Sequence, residues 1–345
     1  MSDEGADLRC AACSAVGLDS PRCASCGSEL GYRYVALPGD DPAPCADCGG
    51  DRFDADGRCA QCGRSRTMPD RFDTDLGAVA VLTDRGIAHA RNEDAVAAGV
   101  FDSAVPGAAG TVVIAVSDGV STSSRPQVAS GAAVRAGVGA TAAALASGQP
   151  ATEAIMAGLA AAAQAVRDVD VPDGPAPSCT YVSAIVAHHG EQTEVTVANV
   201  GDSRAYWLPA AEAGGPGDEP AQRLTVDDSW AQALVDAGAM DERAAMADPR
   251  AHTLIRWLGA DSPPKPWADN CVRTVRVAGP GMLLLCSDGL WNYSPSPSGL
   301  AQHVAGASPV AAARALAQFA LRCGGGDNIT VALAPVPWES GPPVP

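Results

Sequence analysis

Aromatic side chains are scarce: Trp, Tyr and Phe make up only 4% of the 345 residues, which excludes a core built on stacked rings. Positive charge is scarce too. Lys and Arg number 23 against 40 Asp and Glu, a formal net charge of -17. A general nucleic-acid or anionic-membrane binder needs the opposite sign to displace counterions. No uncharged apolar run is long enough to span a bilayer, and the start, Met1-Ser2-Asp3-Glu4, lacks the basic and apolar regions of a secretory leader. The reading is a cytoplasmic protein without membrane association. What the chain has in quantity is small and branched aliphatic residues. With 47% hydrophobic residues it can bury a core of Ala, Val, Leu and Ile, and its length suits one large domain plus a small one.

Eight of the 12 cysteines fall between Cys10 and Cys62. They form a repeat. Cys10-Ala-Ala-Cys13 precedes Cys23-Ala-Ser-Cys26 by nine residues, and Cys45-Ala-Asp-Cys48 precedes Cys59-Ala-Gln-Cys62 by ten. Each half offers four thiolates on two tight turns, the ligand set of a tetrahedral structural zinc site with no open position. Disulfide-linked loops or a redox pair are the alternative, and four matched pairs exceed what either needs. The pattern resembles a double zinc ribbon, implying two structural Zn²⁺ ions. Segment 1–66 carries 11 acidic and 7 basic residues, so its expected partner is a protein and not a nucleic acid.

The organisation that follows is a ribbon unit over 1–66, a linker over 67–75, a large domain over 76–337 and a disordered tail over 338–345. In the large domain, strands are expected at 77–83, 111–117, 178–186, 194–208, 282–286 and 329–336, with a turn at His188-His189-Gly190. Helices are expected at 126–147, 152–168, 228–241 and 298–323. Strands centrally placed with helices in pairs suggest an α/β sandwich.

Two segments share one plan. Val112 to Val116 is followed by Ser117-Asp118-Gly119, and Met282 to Cys286 by Ser287-Asp288-Gly289, so an apolar strand delivers a carboxylate to its end. Asp327 before the last strand, and Glu93 and Asp94 early on, add further acids. Any one of these can simply cap a turn or helix. Together they form a set of hard oxygen ligands without His or Cys, suited to Mg²⁺ or Mn²⁺, and without cations they would raise one another's pKa.

In order, Asp84-Arg85-Gly86, Asn92-Glu93-Asp94, Ser117-Asp118-Gly119, Ser178-Cys179-Thr180, Asn199 to Arg204, Leu224-Thr225 with Asp228-Ser229, Ser287 to Trp291 and Asp327 to Thr330 resemble the successive motifs of the metal-dependent (type 2C, PPM) protein serine/threonine phosphatases. The resemblance implies a four-layer α-β-β-α sandwich with a binuclear Mg²⁺ or Mn²⁺ centre at one end. Asp118 would bridge the metals and Gly119 would offer its carbonyl oxygen. Asp288, Asp327 and Asp94 would complete the catalytic set, with Glu93 a less certain neighbour and Asp202 at a third, weaker cation. A water shared by the ions would attack phosphoserine or phosphothreonine in line. The partners implied are phosphoproteins, a cognate kinase or its substrates.

The chain departs from the family pattern at the phosphate clamp, where His89 stands in place of an arginine. Arg91, as a guanidinium, is the better phosphate partner, with a solvated surface arginine as the bland alternative. The loop Gly119 to Arg125 lines an entrance or caps the helix after it. Arg204 reads as structural, Asp228 as remote from the phosphate, and Cys179, Cys271, Cys286 and Cys323 as packing residues. His188, His189 and His252 read as surface or packing histidines. The competing function is a catalytically weak or silent phosphoprotein-binding adaptor with a zinc-ribbon interaction module.

Overall fold

The computed structural model describes residues 32–38, 45, 48, 50, 52, 58–64, 71–101, 110–170, 174–189, 192–210, 220–277 and 279–336. In chain order the strands are β1 (Tyr32–Leu37), β2 (Arg71–Asp75), β3 (Ala80–Asp84), β4 (Ala95–Phe101), β5 (Thr111–Ser117), β6 (Ser178–Cys179), β7 (Tyr181–His189), β8 (Gln192–Val200), β9 (Arg204–Pro209), β10 (Gln222–Arg223), β11 (Leu258–Gly259), β12 (Val272–Val277), β13 (Gly281–Cys286) and β14 (Ile329–Val336). The helices are α1 (Pro126–Ala146), α2 (Ala151–Arg167), α3 (Trp230–Asp236), α4 (Glu242–Met246), α5 (Asp288–Trp291), α6 (Pro297–Val304) and α7 (Pro309–Arg322). One six-stranded sheet runs β1-β4-β5-β7-β8-β12 and the other β10-β9-β13-β14-β3-β2, with β11 and β6 as a small separate pair.

β5 shows why these strands read as unbroken apolar runs. Val112, Ile114 and Val116 enter the layer between the two sheets, while Val113 and Ala115 enter the layer beneath α1 and α2. With both faces covered, alternation disappears. β13 does the same on the other sheet: Leu283 and Leu285 face the first sheet, and Leu284 and Cys286 face α6 and α7. The result is the expected α-β-β-α stack. Helix α1 is long and apolar enough, by length and composition, to cross a membrane, but its apolar side is buried on the sheet.

Several expectations shift. The helix expected over 298–323 is two helices, α6 and α7, because Ser308 and Pro309 start a new one, with Ser308 Oγ accepting from the Ala311 amide. Only 230–236 of 228–241 is the helix α3, and β7 takes in His188 and His189 of the expected turn, whose Gly190 lies outside the described residues.

The larger correction concerns the boundary. Residues 32–37, expected inside a separate ribbon unit, are the edge strand of the first sheet, paired with β4 from Tyr32 opposite Phe101 to Leu37 opposite Val96. Residues 71–75, expected in a linker, are the edge strand of the second sheet, paired with β3. The physical reason is burial: Val35 and Leu37 pack on the core between the sheets. Tyr32 lies on Phe101 with ring centroids 4.7 Å apart and covers Gly99, where a Cβ would come within 2.9 Å of the ring. Arg33 Nη1 reaches across to donate to the Leu76 carbonyl at 2.7 Å.

The chain between these edge strands carries the second cysteine set. Cys45 and Cys62 Sγ lie 3.5 Å apart, as do Cys48 and Cys59 Sγ, and the four sulfurs lie within 4.8 Å of one another. The Cys59 amide closes a turn on the Arg64 carbonyl at 2.8 Å. Backbone amides of Cys62 and Gln61 pull the Cys59 thiol down to about 7, whereas at Cys48 the pull of the Gly50 amide is outweighed by hydrogen bonds to Cys62 and Cys59, which push that thiol up to about 12, and Cys62 is raised as well. Cys10, Cys13, Cys23, Cys26 and the tail 338–345 lie outside the described residues.

Candidate active site

Five carboxylates arrive at one end of the sandwich, each from the end of a strand. Asp94 precedes β4, Asp118 follows β5, Asp202 sits in the turn between β8 and β9, Asp288 follows β13 and Asp327 precedes β14. Asp118, Gly119, Asp202, Asp288 and Asp327 line one cleft of about 560 Å³, which Thr180, His252 and Trp257 also border. Asp94 lies beneath it, 1% exposed.

Short side chains fix these acids from behind. Ser287 Oγ donates to Asp94 Oδ2 at 2.7 Å and accepts from the Thr330 amide. Thr180 Oγ1 accepts from the Asp118 amide at 3.0 Å, and the Thr180 amide donates back to the Asp118 carbonyl. Asn328 ties the loop of Asp94 to that of Asp327: its Oδ1 accepts from the Glu93 amide, and its Nδ2 donates to the carbonyls of Arg85 and Arg91. Gly289 allows α5 to begin directly on Asp288, since a Cβ there would lie 1.9 Å from the Asn328 carbonyl oxygen.

The acids are held in a state that asks for cations. Burial first, then the charges of Asp327 and Asp288, pushes Asp94 up to about 7. Burial followed by neighbouring carboxylates likewise raises Asp118, Asp202 and Asp288. Asp94 Oδ1 and Asp288 Oδ1 are buried with no hydrogen-bond partner among the described residues. A buried, unpartnered carboxylate oxygen is costly unless a cation meets it, so the residues present fit hard divalent ions.

The remaining predicted positions divide. His89 Nε2 stands 3.1 Å from Asp327 Oδ1, at the cup itself. Arg91 does not stand alone: its Nε donates to Glu93 Oε1 at 2.8 Å, while Ser121 Oγ donates to Glu93 Oε2 at 2.5 Å. Both oxygens of Glu93 are thereby engaged. Arg125 opens α1 with a left-handed backbone, φ 51°, and its Nη1 donates to the Asp170 carbonyl. Arg204 grips Asp227 through Nε and Nη2 and stacks on Trp291, 3.4 Å from guanidinium carbon to ring centroid. Asp228 accepts from the Gly201 amide and from Arg256 Nη1. Cys179 and Cys286 are buried, and burial pushes the Cys179 thiol up to about 12 and Cys286 higher still, which keeps both from serving as nucleophiles.

One residue has more company than its sequence reading gave it. His252, expected as a surface or packing histidine, is exposed and stacks on Trp291 as that reading has it, and in addition a ring nitrogen lies within 4.8 Å of carboxylate oxygens of both Asp202 and Asp288. No spacing could have announced it, because the three side chains come from separate segments of the chain.

No family model matches the chain. It is similar to the serine/threonine phosphatase Stp of Listeria innocua, 37% identical over 116 residues, covering 34% of this chain and 40% of that protein. It is also similar to the serine/threonine protein phosphatase PstP of Mycobacterium tuberculosis, 29% identical over 265 residues, covering 74% of this chain and 44% of the relative. The chain thus spans less than half the length of these curated relatives. Among solved structures, the PPM Ser-Thr phosphatase MsPP of Mycobacterium smegmatis in complex with cacodylate superposes with a TM-score of 0.57 at 24% identity, covering 76% of this chain and 99% of that one. Stp1 of Staphylococcus aureus gives 0.59 at 21% identity, covering 79% and 99%. The catalytic domain of PstP with two manganese ions gives 0.52 at 23% identity, covering 75% and 97%.

Proposed function

We propose that the chain is a PPM (type 2C) serine/threonine phosphatase that hydrolyses phosphoserine and phosphothreonine in proteins at a binuclear Mg²⁺ or Mn²⁺ centre. The observation that carries this reading is the convergence of five strand-end carboxylates, two of which hold a buried oxygen without a partner among the described residues. Asp118, the Gly119 carbonyl, Asp94, Asp288 and Asp327 are the groups that would hold these ions. When bound, the ions supply Lewis acidity, lowering the pKa of water to make a nucleophile and neutralising the phosphoryl oxygens.

The protein's own groups position and orient. Ser287 occupies one oxygen of Asp94 and leaves the other without a protein donor among the described residues. Thr180 holds the backbone at Asp118, and Asn328 keeps the Asp94 and Asp327 loops in register. His89, against Asp327, is assigned to the phosphate side of the cup. Arg91, tied through Glu93 to Ser121, is assigned to holding the loop that follows Asp118. Asp202 is assigned to a third, weaker cation.

The sulfur cluster of Cys45, Cys48, Cys59 and Cys62 supports one structural Zn²⁺, and Cys10, Cys13, Cys23 and Cys26 are assigned a second on their spacing. We assign the protein to the cytoplasm, where thiolates stay reduced, and its partners to phosphoproteins and a kinase acting on them. Phosphate release from a phosphothreonine peptide in Mn²⁺ tests the reaction. Turnover that Asp118→Asn abolishes is the expected result; a metal-loaded wild-type protein without turnover on any phosphopeptide would leave the adaptor reading in its place.

A further inference from the structure

We infer that His252 is a nitrogen ligand for the third cation, completing with Asp202 and Asp288 a mixed oxygen and nitrogen site that takes a divalent transition ion such as Mn²⁺ in preference to Mg²⁺. This rests on the reading of the carboxylate cup as a cation site and names a residue and a metal class within it.

Geometry comes first. One ligand atom from each residue lies within 4.8 Å of the other two, so an ion central among them sits no more than about 2.8 Å from each. Metal to oxygen and nitrogen distances of about 2.0–2.6 Å are reached from there by small side-chain rotations. The unpartnered Asp288 Oδ1 is the second observation: a buried acceptor in this group that no protein donor meets among the described residues.

His252 is also held in place. The Trp230 amide donates to the Thr253 carbonyl at 2.8 Å, the Ala231 amide to Ala251 at 3.1 Å, and the Ile255 amide to Asp228 at 2.8 Å. Asp228 binds the Gly201 amide with one oxygen and Arg256 with the other, so a single side chain fixes both the turn bearing Asp202 and the strap bearing His252. The imidazole stacks on Trp291 with centroids 5.6 Å apart, and Trp291 Nε1 donates to the Asp202 carbonyl.

Chemistry supplies the selectivity. Mg²⁺ prefers oxygen throughout, whereas imidazole favours transition ions. An ion on His252 would also order the strap whose Thr253, Leu254 and Trp257 border the cleft, linking metal occupancy to the wall a phosphoprotein must pass.

The test uses the full chain preloaded with Mg²⁺ and titrated with Mn²⁺, reading stoichiometry by calorimetry and ligand identity by pulsed electron paramagnetic resonance. A third class of Mn²⁺ site with ¹⁴N modulation is expected. His252→Asn should abolish the modulation and weaken that class roughly tenfold or more, and Asp202→Asn should remove the class while His252 remains. A third class without ¹⁴N coupling, or with coupling that survives His252→Asn, overturns the assignment. Two sites without a third remove the third cation and this inference with it, leaving the binuclear reading standing; no divalent binding at all refutes that reading too.

Discussion

Asp94 shows at the scale of one residue how the cup is poised. Its carboxyl sits at about 7 where 3.8 is ordinary, chiefly because it is buried. The folded, metal-free protein therefore holds a proton there that the unfolded chain releases. The sign follows: stability from this group is fully present below about pH 4 and is lost as pH rises through about 7. Calorimetry of the metal-free protein should show its melting temperature falling across that window, with Asp94→Asn flattening the fall. Mn²⁺ should raise the melting temperature more at pH 8 than at pH 5, because cation and proton compete for one site. A pH-independent Mn²⁺ effect would contradict this account.

Elements carry the next level. Gly289 lets β13 turn into α5 with Asp288 at the joint, and a methyl group there would collide with the Asn328 carbonyl oxygen. Gly289→Ala is expected to cost about 2–3 kcal/mol and to lower the melting temperature by roughly 4–12 °C, with weakened Mn²⁺ binding because Asp288 and the Asp327 loop are pushed apart. An unchanged melting curve would show that the joint relaxes freely. Such joints were legible in the sequence because a doubly covered strand is an unbroken apolar run, as in Thr111 to Ser117, and the acid after it breaks the pattern. Edge strands were not. β12 reads Val-Arg-Thr-Val-Arg-Val with Arg273, Thr274 and Arg276 exposed, and β1 and β2 carry polar residues because only part of each is covered. His252 escaped for a different reason: its partners meet only in three dimensions, and neighbouring residues give no sign of them.

At the scale of the whole molecule, residues 1–66 are not a detachable appendage. Removing them strips β1 from the first sheet and bares the edge of β4. The shortened protein should melt earlier and self-associate with concentration, as exposed edges do, measured by scanning calorimetry and light scattering. Cys59→Ser should move melting in the same direction while the chain stays full length and loses zinc. A truncated protein that melts like the parent and stays monomeric would show that β1 only rests on the sheet. Loss of action on a protein substrate after truncation would therefore not by itself identify a recruitment module.

The placement of β1 also bears on the order of assembly. β1 leaves the ribosome well before β4, yet it has nothing to pair with until β4 and β5 exist, and seating it closes a loop from Leu37 to Val96. The entropy of closing such a loop depends on how much of it is free to move. With the sulfurs of Cys45 and Cys62 3.5 Å apart, an ion holding both would tie two distant points of that loop together, and less free chain would remain to be restrained when the strand docks. A filled cysteine cluster would in this sense shorten the search of an early strand for a late partner, and with it the time for which a sheet edge stands open to other chains.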